Sequence, residues 1–460
     1  MGNVLIERDT MVDIADSIRG KTGSVELMKP DEMPGAIDSI PTGGGGSAAD
    51  PELPVRFFSY DGDLLYSYTL EEVAELEALP PVPEVQGLVS QGWNWTLAEL
   101  VENGRQADVG PMYITDDGAT RVYIKLNEGR LSPVLGFIQN KAYGVTVDWG
   151  DGSVEKSNST RNYLSNMTHV YANAGKYMIS MLPDPDTTMS LIPDTNSGGT
   201  CITPYSRHSD HYENVGYTYT VEKVEIGRNV VLGKRSFACC AHMRSISIPA
   251  YIQSIGEYGF EQCYQLKMLV LPRGAVTINE YLLSYCRSFE TISIPYTVTT
   301  VEKCVFMYCC SIRRIALPKK VSSIGRSAFT DCSSLGSFRF PDAVTIVPNN
   351  CFSSASGLMK VDYGNATIEN IEGYAYYNCY AQSIVEIPAS VLRIGMNAYK
   401  FVKSKVLYAY PETPPELADT SVFEELSSDL VIYVPNGCLS AYQAAPIWST
   451  LASRMVEMPE

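Results

Sequence analysis

The sequence predicts a mainly β protein: a short N-terminal helical segment, small β domains, then a stacked-repeat solenoid closed by a C-terminal cap. Two observations carry most of this. Pro249, Pro272, Pro295, Pro318 and Pro341 each end a short apolar run, spaced by 23 residues every time. Alternating apolar segments broken by Asp-Gly and Pro turns fill the region ahead of them. With 460 residues, 45% hydrophobic and 19% charged, the chain suffices for two to four domains with a substantial core.

Other columns keep the register of those prolines. Gly364, Pro388 and Pro411 take the next anchor places, and Gly227 precedes the first. One and three residues before each anchor stand Ile246/Ile248, Leu269/Leu271, Ile292/Ile294, Ile315/Leu317, Phe338/Phe340, Val361/Tyr363 and Val385/Ile387. Period-two alternation marks a short strand with one buried face. Ile255, Ile278, Val301, Ile324 and Val347 follow six residues after the anchor; Phe260, Leu283, Phe306, Phe329 and Phe352 follow eleven after it. Proline cannot donate to a ladder, so it turns the chain out of the sheet. One unit alone lacks the apolar area to fold, whereas stacked units share a continuous core. About eight run from Val221 to Tyr410.

The clearest unit, Ile315-Ala-Leu-Pro-Lys-Lys-Val-Ser-Ser-Ile-Gly-Arg-Ser-Ala-Phe-Thr-Asp-Cys-Ser-Ser-Leu335, resembles the leucine-rich repeat of the bacterial surface-antigen (BspA-like) type. That pattern is a strand, Pro, then I-G-x-x-A-F-x-x-C-x-x-L. The resemblance implies a leucine-rich-repeat solenoid over residues 217–410. Val431 to Gln443, followed by Trp448, looks like the closing unit of such proteins and implies a capping unit over 411–460. Departures fall at Gly364, Ala355, Asn279 and Glu302, where less regular coils are expected.

Cys240, Cys263, Cys286, Cys309 and Cys332 recur every 23 residues, with Cys379 a further 47 on. Equivalent side chains in neighbouring coils point the same way about 4.8 Å apart. Disulfides need Cβ atoms about 3.8 Å apart and facing, and zinc needs convergent ligands. The column reads as buried small hydrophobes.

Ahead of the solenoid, Thr10 to Arg19 reads as a helix with Met11, Ile14, Ala15 and Ile18 on one stripe and Thr10 as N-cap. Residues Met11 to Gly23 and Met28 to Ile40 resemble the opening segment of tail proteins from phages of gut Gram-positive bacteria. This implies that residues 1–41 dock to other tail proteins, with a Gly-rich linker at 42–52. Residues 53–109 read as a small hairpin/helix domain: Asp61-Gly62 as a hairpin turn, then an acidic helix from Leu70 to Leu79. Trp93 and Trp95 have two roles open to them, stacking on sugar rings or core packing. Within 110–216, Val145-Thr-Val-Asp-Trp-Gly-Asp-Gly152 and Thr168-His-Val-Tyr-Ala-Asn-Ala-Gly-Lys-Tyr177 resemble the polycystic-kidney-disease-type (PKD-like) β-sandwich, which implies a spacer. Asp148 and Asp151 have calcium binding or turn formation open to them.

His208 and His211 form the one histidine cluster, without a full ligand set nearby. With four histidines in all, no nucleophile–His–acid pattern or phosphate loop appears. No catalytic, cofactor or metal residues are expected and the chain does not read as an enzyme, although paired carboxylates leave no sequence signature.

The net charge of −17 argues against nucleic acid. Residues 1–110 hold 20 acidic against 6 basic side chains, and residues 221–400 hold 18 basic against 13 acidic, so an anionic partner suits the back. No run is long and apolar enough to cross a membrane, and Met1 to Gly20 has no apolar core typical of a signal peptide. The chain is therefore expected to reach the outside within a virion. Together the resemblances imply a phage tail fibre or adhesin, assembled in the host cytoplasm and acting at the bacterial surface. By analogy with tail fibres it would be a homotrimer, binding a host glycan or protein through the solenoid. A purely structural tail or baseplate part and a glycan-degrading tail enzyme are the rivals. The contact surface is expected on the outward strand column, at Met268, Val270, Arg314, Arg339, Lys360 and Asp362, where arginine forks suit phosphate or carboxylate; a merely solvated face is the alternative.

Overall fold

The computed structural model describes residues 54–128, 131–191 and 219–458. The expected docking helix, the Gly-rich linker and the His208/His211 loop lie outside these residues. Each repeat bends the chain through three short sides. The first is the strand ahead of the anchor: Ser245–Ser247, Met268–Val270, Thr291–Ser293, Ser337–Arg339 and Lys360–Asp362. Pairing is parallel at the repeat offset, as in Leu269 opposite Ile292. On the second side are two-residue strands such as Thr277–Ile278, Thr300–Val301 and Ser323–Ile324, also parallel and in register. The apolar column six residues after the anchor lies on them. The coils carrying Asn279 and Glu302 keep this pairing, and Asn279 Nδ2 donates to Ile255 O across the coil boundary. At Gly325, a Cβ would come within 2.4 Å of the Lys303 backbone nitrogen.

The third side holds coils together without strands. Tyr258, Phe260 and Gln262 donate their N–H groups to the carbonyls of Glu280, Leu282 and Ser284 at 2.9–3.0 Å. The same three bonds recur from Tyr281, Leu283 and Tyr285 to the coil after. This path puts two non-glycine residues per coil in the left-handed region, from Tyr258 (φ 58°) and Gln262 (φ 60°) to Asn397 (φ 53°) and Phe401 (φ 65°). Each costs about 1–2 kcal/mol. Hydrogen bonds of about 1 kcal/mol each and the aromatic column buried between them offset that cost.

Inside, rings stack coil on coil. Phe306–Phe329, Phe329–Phe352, Phe352–Tyr376 and Tyr376–Tyr399 have centroids 5.1–5.6 Å apart and planes within 16°. The cysteine column packs beside them. From Cys263 onward each thiol also donates to a carbonyl of the preceding coil, as from Cys286 to Phe260 O at 3.0 Å and from Cys332 to Phe306 O at 3.1 Å. Burial pushes these thiols well above their usual range. The β-solenoid has about 10 turns, more than the eight expected, because the closing unit itself adds coils. Val431–Val434 and Met455–Glu457 extend the first-side ladder beyond Val406–Ala409. The helix Leu439–Ala444 and Trp448 then cover the end, with Tyr442 and Trp448 donating to Pro411 O and Pro415 O.

Residues 120–191 form a two-sheet sandwich that the solenoid continues. Let β6 be Thr120–Leu126, β7 Val134–Gln139, β8 Val145–Asp148, β9 Val154–Lys156, β10 Leu164–Thr168, β11 Gly175–Pro183 and β12 Met189–Leu191, after five strands (β1 to β5) described below. Solenoid strands β13 (Tyr219–Glu225) and β14 (Val230–Leu232) pair with β6 and β12 respectively. The first sheet thus runs β9-β8-β11-β6-β13 into Ser245–Ser247, and the second runs β10-β7-β12-β14. One core extends from Val122 to Met455. The expected β8–β9 hairpin is present, with Trp149 buried and its carbonyl accepting from the Tyr171 hydroxyl at 2.6 Å.

Ahead of the sandwich, β1 (Val55–Phe58) and β2 (Leu64–Tyr68) make the hairpin expected at Asp61-Gly62, with Gly62 at φ 94°. The acidic helix α1 covers Leu70–Glu75, shorter than expected. Its Thr69/Glu72 capping box fixes the start. Glu75 and Glu77 oppose the dipole at its end, and Pro80-Pro81 bars continuation. Then come β3 (Leu88–Trp93), α2 (Leu97–Asn103), β4 (Ala107–Val109) and β5 (Pro111–Thr115).

Phe329→Ala, which would break the ring stack between two coils, should cost about 3–5 kcal/mol of stability in urea unfolding. The fully buried thiols of Cys263, Cys286, Cys309 and Cys332 should resist iodoacetamide at pH 8 in the folded protein, and react once denaturant is added.

Candidate functional site

The outward positions of the first-side strands form one continuous face, and the chain itself covers half of it. Residues 54–110 lie across the coils from Ser245 to Ala316. Asp108, buried, is the centre of this contact. Its carboxylate accepts from Arg56 (2.8 and 3.0 Å) and from Arg314 Nη2 (2.9 Å), which also donates to Pro54 O (2.8 Å). Asn94, with no exposure at all, donates to Leu271 O and accepts from Gly110 N and from the Ser293 hydroxyl. Arg273 donates to the carbonyls of Trp93 and Trp95. Trp95 packs against Tyr296 with centroids 5.7 Å apart. Arg105 reaches Phe340 O at 3.1 Å. At Gly110 the fit is so close that a Cβ would lie 2.3 Å from Val270 Cγ2.

This corrects the face expected from the repeat. Met268 and Arg314 are each only 6% exposed; Met268 meets Gly62, and Arg314 meets Asp108. Val270 is half-buried against Gly110. Three of the six expected residues therefore belong to an intramolecular interface. The repeat pattern shows which way a side chain points but not what lies over it. Trp93 and Trp95 are core residues of the covering domain, 4% and 1% exposed. Burial lowers the Arg314 pKa, while Asp108 holds it up.

From Ser337 onward the outward side chains are open, the covering segment reaching this coil only through Arg105, at Phe340 O and Asp342. Arg339, Lys360 and Asp362 stand together there, with Arg339 Nε 3.6 Å from Asp362 Oδ2. Beyond them the same face carries Ile384 (49% exposed), Glu386, Tyr408 and Tyr433. The Tyr408 and Tyr433 rings stack at 4.9 Å. The proline register does not reach these tyrosines, because Val385 pairs with Leu407, an offset of 22 that moves the outward column by one position. In the sandwich, Asp148 accepts from Gly150 N and Asp151 from Ser153 N, both within the hairpin turn. Asp151 also pairs with His169 at 2.7 Å, and that contact holds its carboxyl below the usual range.

Residues 230–360 and 322–425 match, in six copies, the family described as BspA type leucine rich repeat region. The chain carries BspA-type leucine-rich repeats. Among solved structures it is similar to a leucine-rich repeat protein from Bacteroides ovatus, at 20% identity over 49% of this chain and 68% of that one, with a TM-score of 0.40. It is also similar to a T. pallidum leucine rich repeat protein, at 28% identity over 34% of this chain and 72% of that one, TM-score 0.31. No curated protein matches the chain. The leucine-rich repeats are a repeat family rather than a catalytic one.

Removing Asp108 would leave the buried guanidinium of Arg314 uncompensated. Asp108→Ala should therefore cost about 3–5 kcal/mol, measured by urea unfolding. It should also open residues 54–110 to limited proteolysis before the repeats are cut.

Proposed function

We propose that this chain is a tail fibre or adhesin component of a bacteriophage, and that the open half of its strand face attaches the virion to the surface of a host bacterium. The observation that carries the reading is the division of that face. Its first coils are clamped by the chain's own N-terminal domain, while from Ser337 onward exposed basic and acidic side chains and half-buried, stacked tyrosines stand on a rigid support. Rigid repeats that offer exposed, chemically mixed side chains suit recognition of an extended surface. The tail context rests on the resemblance of Met11 to Ile40 to tail-protein openings, which gives that segment the role of docking to other tail proteins. The PKD-like reading of the sandwich rests on Val145 to Gly152 and Thr168 to Tyr177. Because its sheets run on into the repeats, such a domain would act here as a fixed end-piece rather than a hinge-linked spacer. A trimer follows by analogy with tail fibres.

Arg339→Glu combined with Lys360→Glu should lower adsorption of the purified chain to host cells by about tenfold or more, the scale of a lost charge-assisted contact. Unchanged adsorption would remove this patch. Wild-type protein that fails to bind host cells would favour a purely structural tail part, and release of reducing sugar from host wall would favour a tail enzyme.

A further inference from the structure

Four polar side chains stand where the repeat prescribes apolar ones, and three of them line one cavity. Three residues beyond the cysteine column come Met243, Leu266, Phe289, Ile312, Leu335 and Leu358, all fully buried; the next is Gln382, 4% exposed. The position before the anchor, Leu317 and Phe340 in earlier coils, becomes Tyr363. The aromatic column Phe306, Phe329, Phe352 becomes Tyr376 and then Tyr399. Breaks in an otherwise uniform pattern concentrate where function overrides folding.

The backbone departs at the same place. From Gly364 to Pro388 the coil has 24 residues rather than 23, and Lys360–Asp362 and Ile384–Ile387 do not pair, an interruption of the first-side ladder that also occurs between Ser245–Ser247 and Met268–Val270. A cavity of about 400 Å³ opens there, lined by Tyr363, Gln382 and Tyr399 with Val361 and Val385 as apolar wall. This is within the size range of small-molecule sites, roughly 300–1,000 Å³. The Tyr363 and Tyr376 hydroxyls bond to each other at 2.9 Å. Gln382 Oε1 has no hydrogen-bond partner among the described residues. The Tyr399 hydroxyl is buried beside that of Tyr363; burial pushes both up, and each acts on the other. Buried polar atoms without partners are rare, and each calls for a group to complete it. At the mouth stand Lys360 and Glu386, of opposite sign, and the exposed Ile384.

We infer that this cavity binds one neutral, N-acetylated sugar residue of a surface glycan. The acetamido N–H supplies the donor that Gln382 Oε1 lacks, reached by rotation about the last side-chain bond, whose torsion is soft. Its carbonyl accepts from the Tyr399 hydroxyl, and its methyl meets Val361 and Val385. Ring hydroxyls face Lys360 and Glu386, whose charges cancel and disfavour an anionic sugar. The source of the glycan rests on the attachment reading above, whereas the chemistry rests on the cavity.

The test is titration of the full chain with N-acetylglucosamine, N-acetylgalactosamine and glucose, followed by saturation-transfer NMR and calorimetry. An N-acetylated sugar should bind at least tenfold more tightly than glucose. Gln382→Leu, which fills the repeat's own apolar column, should abolish binding without lowering Tm. Ile384→Trp, at the exposed mouth, should also block it. No binding of either N-acetylated sugar, equal binding of glucose, or binding untouched by Gln382→Leu would overturn the inference. Host adsorption measured in parallel separates the two readings. Sugar binding by a chain that does not adsorb sinks the attachment role alone and supports the cavity. Loss of sugar binding in Gln382→Leu with adsorption retained supports the cavity and leaves the attachment role standing, carried by another part of the face.

Discussion

The structure depends on coils of equal length meeting in phase. Every intercoil hydrogen bond, on all three sides, requires residue i of one coil to face its equivalent in the next. A slip of one residue along a strand would turn its buried side chains outward, so the phase is enforced by the core as well as by the backbone. The ladder on the third side carries a standing cost, two left-handed residues per coil, and they are mostly not glycine. Tyr, Gln, Asn and Ser hold that conformation because the adjacent coil fixes both ends of the bend. Stacking thus stabilises a backbone that one coil alone would not adopt. This is why such repeats fold together or not at all.

A solenoid built this way has two exposed ends, each a row of unpaired backbone groups that invites association. Here both ends are continued rather than merely covered. At the front, β6 and β12 donate the sandwich's two sheets to the first coils, so a single core runs through the junction. At the back, Val431–Val434 and Met455–Glu457 carry the ladder on until Tyr442 and Trp448 close it. The segment 54–110 then braces the strand face through Asp108, Asn94 and Arg273. A buried carboxylate shared by two guanidiniums is a weak source of net stability but a strict geometric requirement. Such a contact fixes how the domain sits more than how tightly it is held.

The repeat was legible in the sequence because its signal is redundant: proline, paired apolar residues, Phe and Cys all fall in phase, and each column lies where the pattern puts it. The hairpins at Asp61-Gly62 and Trp149 to Ser153 were legible from turn chemistry. The domain that covers the face was not, since interfaces between remote segments leave no periodic trace. One indirect signal existed. The acidic front and basic back, read as preference for an anionic partner, partly satisfy one another, as Asp108 does Arg314 and Glu102 does Lys319. The two-residue strands of the second side and the left-handed positions of the third escaped notice too. The second-side strands show in the sequence only as a single apolar residue per coil, too little to mark a strand, and the left-handed positions hold side chains of many types, so nothing in composition marks them.

What the repeat pattern cannot supply is variation, and the chain places its variation unevenly. From Ser245 to Ala316 the coils keep one spacing and lie under the N-terminal domain, where a change of side chain would disturb an interface as well as a surface. Beyond Ser337 two departures accumulate: an added residue after Gly364 and polar residues in apolar columns. A solenoid tolerates these because each coil touches only its neighbours, so disorder in phase at one junction need not propagate. The second side shows this directly: Ile346 pairs with Asn370 across the longer coil, and Asn370 with Arg393 returns to the usual spacing. Rigidity concentrated in the braced coils therefore leaves the later ones free to diverge, and it is on those that exposed charge, stacked tyrosines and the cavity beside the longer coil are found together.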